Sequence, residues 1–279
     1  MTITTTARTD VAQFSGKQTL LRLIRQEFAT AFDTLVEASD AEWHAQTPCD
    51  MWEVRDMAGH LLDAAYAYLG YFKQGEHGWR TEDPVGMRAY GEALGQTALD
   101  YRQTYRWEVL GRLEAVAEEL FAYFDALDEH QWAARLIPHR FVGPVPAFMM
   151  AVFQLMDYST HNWDLRTALG KPAFVDEESS HILVPYMFSL IQLCFAADRA
   201  EGVDLTIGVE ITTPHTEHWT VQIADGVFSF QPGEPESADA SFHFPCDEFC
   251  LDAYQRLQGG KATGDPSAIS TFRSLFFTV

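Results

Sequence analysis

Along the first two hundred residues, apolar positions recur three or four apart, the spacing of a helix with one buried face. Leu20, Ile24, Phe28 and Leu35 make the first such stripe, and Ser15 with Gln18 predicts a capping box ahead of it. Asp50 and Glu53 repeat the cap signal before a second helix in which Val54, Met57, Leu61, Ala65 and Leu69 keep the period. From Lys73 to Pro84 glycine and charge predict a loop, and a helix over about Met87 to Tyr101 follows. Leu110, Leu113, Val116, Leu120, Phe124 and Leu127 trace another apolar face. Pro144 and Pro146 mark the start of one more helix, which Gly170 and Pro172 end. A helix from about Glu177 to Ala200 contains Pro185, which should kink or split it. No strand is expected between residues 17 and 140.

Past Gly202 the period shortens to two. Residues 204–213 and 219–231 alternate apolar and polar positions around Asp225-Gly226, a hairpin turn, and 238–244 adds a further strand. Asp247 to Gln258 reads as a helix, and Asp265-Pro266 as the cap and first turn of a last one through Phe277. The pattern predicts an α+β chain: a flexible start over residues 1–14, a helical bundle over 15–201 and a small α/β domain over 202–279.

Composition narrows the function. At 279 residues and 47% hydrophobic the chain can bury a large core. Its 19 Lys+Arg against 40 Asp+Glu give a net charge of -21, which repels phosphate backbones and anionic lipid, so neither nucleic acid nor membrane is an expected partner. Cys49, Cys194, Cys246 and Cys250 are too few and scattered for a disulfide framework and read as buried thiols. The start is polar and no run approaches ~18 apolar residues, from which a cytoplasmic location is expected.

Candidate chemistry sits in the helix before Gly170. Asp157 and His161 are four apart on one face, so carboxylate and imidazole can converge on a metal ion. A catalytic site usually takes three protein ligands, and His60 in the second helix is the candidate third. Gln154, Asp157, His161 and Asp164 form one polar stripe among Phe153, Leu155, Met156, Trp163 and Leu165. Burying such groups without partners costs about 1–3 kcal/mol each, which a lined cavity or a metal would relieve. Asp164 is expected to orient an imidazole rather than to bind the ion. The plainer reading pairs His60 with Asp56 or Asp63 and makes His161 a hydrogen-bonded core histidine. His44, His77, His215 and His218 read as solvated loop residues, while His139 and Arg140 could rim a pocket.

The segments TPCDMWEVRDMAGHLL, HNWDLRTALG and SFHFPCDEF with GGKATGD resemble the mycothiol-dependent maleylpyruvate isomerase family over about residues 17–277. The resemblance implies a DinB-like, metal-binding four-helix bundle followed by a sterol-carrier-like α/β domain. It also implies His60, Asp157 and His161 as metal ligands, with Asp157 standing where the family has Glu. A basic residue from the second domain would be Arg256 or Lys261. The implied reaction is isomerisation or thiol transfer on a small electrophilic, unsaturated acid-like molecule, with mycothiol as the low-molecular-weight thiol. The donor set suits zinc first, then nickel, iron or manganese. Two alternatives stand beside it: a metal-dependent hydrolase, and a metal-free protein that binds an apolar metabolite.

Overall fold

The computed structural model describes residues 8–79 and 83–278, which fall into two compact units. The first, residues 9–175, is a four-helix bundle of α1 (Lys17–Glu37), α2 (Val54–Glu76), α4 (Arg106–Ala126) and α6 (Ala147–Ala168). Helix α1 packs on α6 and α2 on α4, and α2–α6 and α1–α4 contacts close the square. Two shorter helices, α3 (Met87–Thr97) and α5 (Glu129–Ala134), are also part of this unit. The apolar stripes meet inside it: Leu20, Ile24, Leu35, Val54, Met57, Leu61, Leu113, Leu120 and Phe124 are all fully buried. Each contributes roughly 1.5–3 kcal/mol by leaving water.

Two ends differ from the sequence expectation. Ser15 lies in a 3-10 turn and makes no cap, so α1 begins after Gly16, while Lys17 turns inward and donates from Nζ to the Asp125 and Leu127 carbonyls at the end of α4. Helix α2 is capped by Glu53 and Asp56, which accept reciprocally from each other's backbone N–H, rather than by Asp50. Asp56 is wholly buried and also accepts both guanidinium bonds of Arg102, each at 2.7 Å. A strand does occur before residue 140: β1 (Leu136–Ile137) pairs antiparallel with β2 (Val145–Pro146) across the short loop leading into α6. The second helix runs four residues into the expected loop at 73–84; residues 80–82 of that loop lie outside the described residues.

The second unit runs from Asp176 to the end of the described chain and includes Arg8. Helix α7 (Glu177–Leu193) therefore belongs here, although the sequence placed the boundary near residue 202 and counted this helix with the bundle. Its large aromatic explains the difference. Phe188 stacks on Trp219 at 4.7 Å, on Phe230 at 5.5 Å and against Phe249 at 4.8 Å, so the helix finds its apolar partners on the sheet and on the helix that carries Phe249. The sheet contains β3 (Leu205–Ile211), β4 (Glu217–Ala224), β5 (Val227–Pro232), β6 (Ala240–Phe244) and β7 (Lys261–Gly264), in the order β5-β4-β3-β6-β7. Neighbours are antiparallel except β3 and β6, where Val209 lies opposite Phe242. Asp225 and Gly226 both take positive φ, 52° and 73°, and turn the β4–β5 hairpin as expected. Helices α8 (Cys246–Ala253) and α9 (Pro266–Ser274) complete the unit, both ending short of their predicted limits.

Pro185 neither kinks α7 apart nor ends it. Proline has no N–H to give the carbonyl four residues earlier, His181 O. That carbonyl accepts from Arg8 Nε at 2.8 Å instead.

Candidate metal centre

His60 stands in the second turn of α2, and Asp157 and His161 are one turn apart in the middle of α6. Packing of α2 on α6 brings them together. Nε2 of His60 is 3.0 Å and Nε2 of His161 3.3 Å from the same Oδ1 of Asp157, and the donor atoms of all three lie within 4.8 Å of one another. The plainer pairing of His60 with Asp56 or Asp63 is not what forms, since Asp56 is engaged by Arg102 and the start of α2.

Neighbours fix each ring. Trp52 stacks on His60 at 4.7 Å and 28°, and the two imidazoles meet edge to face at 4.7 Å. Asp164, one turn beyond and wholly buried, lies 2.8 Å from His161 Nδ1; a carboxylate there assigns that nitrogen as N–H and leaves Nε2 facing Asp157. Cys49 Sγ is 3.5 Å from the same Asp164 oxygen. Burial alone would lower the His161 pKa, but the bonds and charges of Asp157 and Asp164 outweigh it and hold it up at about 9. For Asp157, burial acts upward and the two histidines downward, and the histidines prevail, keeping the carboxyl ionised far below its usual range.

Several polar atoms at the cluster have nothing to bond. His60 Nδ1, Asp157 Oδ2 and both amide atoms of Gln154 are buried without a hydrogen-bond partner. Buried polar groups are ordinarily hydrogen-bonded, and a bound ion or ligand would satisfy these. Two neutral-capable imidazoles and a carboxylate are the donor set of a borderline divalent ion, so the residues fit one.

Tyrosines add hydroxyls close by. Burial first, then the charge of Asp157, raises the pKa of Tyr90 far out of reach, so its phenol stays protonated, and it bonds Tyr68. Next to it, His139 is buried among Tyr68, Tyr71, Tyr90, Phe141 and Phe153, rather than rimming an open pocket. Its Nδ1 accepts from the Phe141 and Val142 N–H, and burial lowers its pKa to about 4.

Arg256 and Lys261 belong to the second unit. Arg256 follows α8 and donates to the Tyr254 carbonyl at 3.3 Å, and Lys261 opens β7, exposed and opposite His243 in register. Of the histidines read as solvated, His44 pairs with Glu53, His77 caps α2, and His218 is exposed; His215 is not a free loop residue but sits 3.3 Å from Glu217. Trp52, Cys49 and Tyr90 carried no sequence signal for the site. Only Trp52, just ahead of the α2 cap, could have been placed near His60 by counting turns.

A four-helix bundle whose core holds a two-histidine, one-carboxylate cluster, followed in the chain by a small mixed sheet, defines a class of architecture. The sequence profile of the mycothiol maleylpyruvate isomerase N-terminal domain matches residues 25–166, half of the chain, and the chain belongs to that family. Among solved structures, a mycothiol-dependent maleylpyruvate isomerase superposes with a TM-score of 0.61 at 15% identity, over 88% of this chain and 92% of that one. A histidine-to-alanine mutant of a mycothiol-dependent maleylpyruvate isomerase gives 0.60 at the same identity and coverage. At that identity the likeness is one of fold. Comparison with curated proteins gave no match. Among the described residues, no helix is long and apolar enough to cross a membrane.

Proposed function

We propose that this chain is a metal- and thiol-dependent enzyme, an isomerase or thiol transferase of the maleylpyruvate isomerase type. His60, Asp157 and His161 would hold a divalent ion, zinc first among the candidates, and mycothiol would be the thiol. The observation that carries the reading is the convergence of two imidazole nitrogens on one carboxylate oxygen amid orphaned buried polar atoms.

When bound, such an ion makes thiolate the stable form of a thiol whose free pKa is about 8.5. The protein's own groups do the rest. Asp164 holds the His161 ring by Nδ1, so that Nε2 stays aimed inward, and Trp52 clamps the His60 ring from its face. The Gln154 amide offers a donor and an acceptor without other engagements, and Tyr90 offers a phenol held protonated, both suited to a substrate carboxylate or enolate oxygen.

The test is metal analysis of protein purified without chelator, joined to turnover of cis-enone acids with and without a low-molecular-weight thiol. An ion held at this cluster and lost in His161→Ala, and thiol-dependent turnover, are expected. Turnover indifferent to thiol would replace this reading with hydrolysis by bound water. A metal-free protein with a tightly held apolar ligand would replace it with a carrier.

A further inference from the structure

Away from the bundle, three more side chains converge within the second unit. His181 lies in the second turn of α7, His215 in the loop before β4, and Glu217 is the first residue of β4. Nε2 of His181 is 3.1 Å and Nε2 of His215 3.3 Å from the same Oε1 of Glu217, the two rings are edge to face at 4.7 Å, and the three donor atoms lie within 4.8 Å of one another. We propose that His181, His215 and Glu217 form a second divalent transition-metal site, of two imidazoles and a carboxylate, that ties α7 to the start of β4.

Distances and chemistry point the same way. A tetrahedral ion with bonds of about 2.0–2.1 Å keeps its ligand atoms ~3.3–3.4 Å apart, close to both separations here. The bundle cluster shows a similar pair of spacings, 3.0 and 3.3 Å, on unrelated elements. Held by hydrogen bonds alone, Glu217 Oε1 would take an Nε2–H from both rings, and a metal ion takes the place of both those protons.

The outer partner is also built. Arg8 grips the other oxygen of Glu217 and is itself anchored on the His181 carbonyl that Pro185 leaves without a helical donor. Ligating carboxylates are commonly oriented in this way by a second hydrogen bond. Arg8 also cancels the charge of Glu217, so the site gives an ion little electrostatic attraction and depends on nitrogen donors. That favours zinc, nickel or copper and disfavours magnesium and calcium, which need several oxygens. The side chains are 12–24% exposed, enough for an ion to enter from solvent.

Equilibrium dialysis of the full chain, stripped of metal, against zinc decides the matter by counting. Wild type is expected to bind two zinc ions, His215→Ala one, His60→Ala/His161→Ala one, and the triple variant none. Zinc should raise the Tm of His60→Ala/His161→Ala, and this rise should vanish on adding His215→Ala. Should His215→Ala lose its circular-dichroism signature, Glu217→Gln, which keeps the shape, is read in its place. One zinc lost on His215→Ala supports this site even where the bundle cluster binds none. Equal stoichiometry in wild type and His215→Ala overturns it and leaves Arg8, His181, His215 and Glu217 as a hydrogen-bonded network.

Discussion

Asp157 meets two imidazoles through a single oxygen, and its second oxygen is buried with no partner. His161→Ala is expected to lose the ion and all turnover while the chain still folds, with a lowered Tm because Asp157 and Asp164 both lose a partner. Metal analysis beside thermal unfolding checks this. Asp164→Asn keeps the shape but weakens the grip on Nδ1, and outer-shell changes of this kind typically cost about 10–100-fold in metal affinity, measurable by competition with a chromophoric chelator. His139 makes a different prediction. Unfolded, it takes its proton near 6.5, and folded only near 4, because burial disfavours the cation. Between those values the unfolded chain binds more protons, so this residue costs no stability above about pH 6.5 and up to about 3 kcal/mol once the pH has fallen to 4. Urea midpoints measured across pH 4–7 should fall less steeply in His139→Gln than in wild type.

At the scale of elements, the start of α2 governs where His60 points. Arg102 satisfies a carboxylate that also caps this helix, so Arg102→Ala strands the buried charge of Asp56. About 2–3 kcal/mol is expected, less than the ~3–5 for a fully buried pair because Arg102 is one-third exposed, and denaturant unfolding would report it. The same helix shows what was legible in the sequence. Its apolar period, the i,i+4 spacing of Asp157 and His161, and the Asp225-Gly226 turn are local signals, and the structure contains each of them. What escaped was set by long-range packing. Helix α7 carries a helical pattern that does not say which unit it packs on, and Phe188 on Trp219 decides it. Strand β7 is four residues long, with Gly260 before it and Gly264 within it, too short to show alternation. Tyr90 and Cys49 reach the site from segments with no periodic relation to α6.

For the whole molecule, the excess of acidic residues, a net charge of -21, repels itself as well as other anions. Raising salt from about 0.05 to 0.5 M shortens the Debye length to a few ångströms and should raise Tm. Fluorescence anisotropy with duplex DNA at physiological salt should show no binding, and a micromolar affinity would contradict the charge argument.

Among the described residues, Arg8 joins a unit whose next residue is 168 positions later, at Asp176. During synthesis the bundle's residues have all left the ribosome while the sheet is still unmade, so Arg8 must wait for its carboxylate. A bundle that is already folded leaves fewer flexible residues between the two segments and lowers the entropic cost of that late closure. Truncation through Arg8 should thus weaken α7 and β4, more than two hundred residues downstream of the cut for Glu217, and leave the bundle intact. Hydrogen exchange resolved by segment would show it.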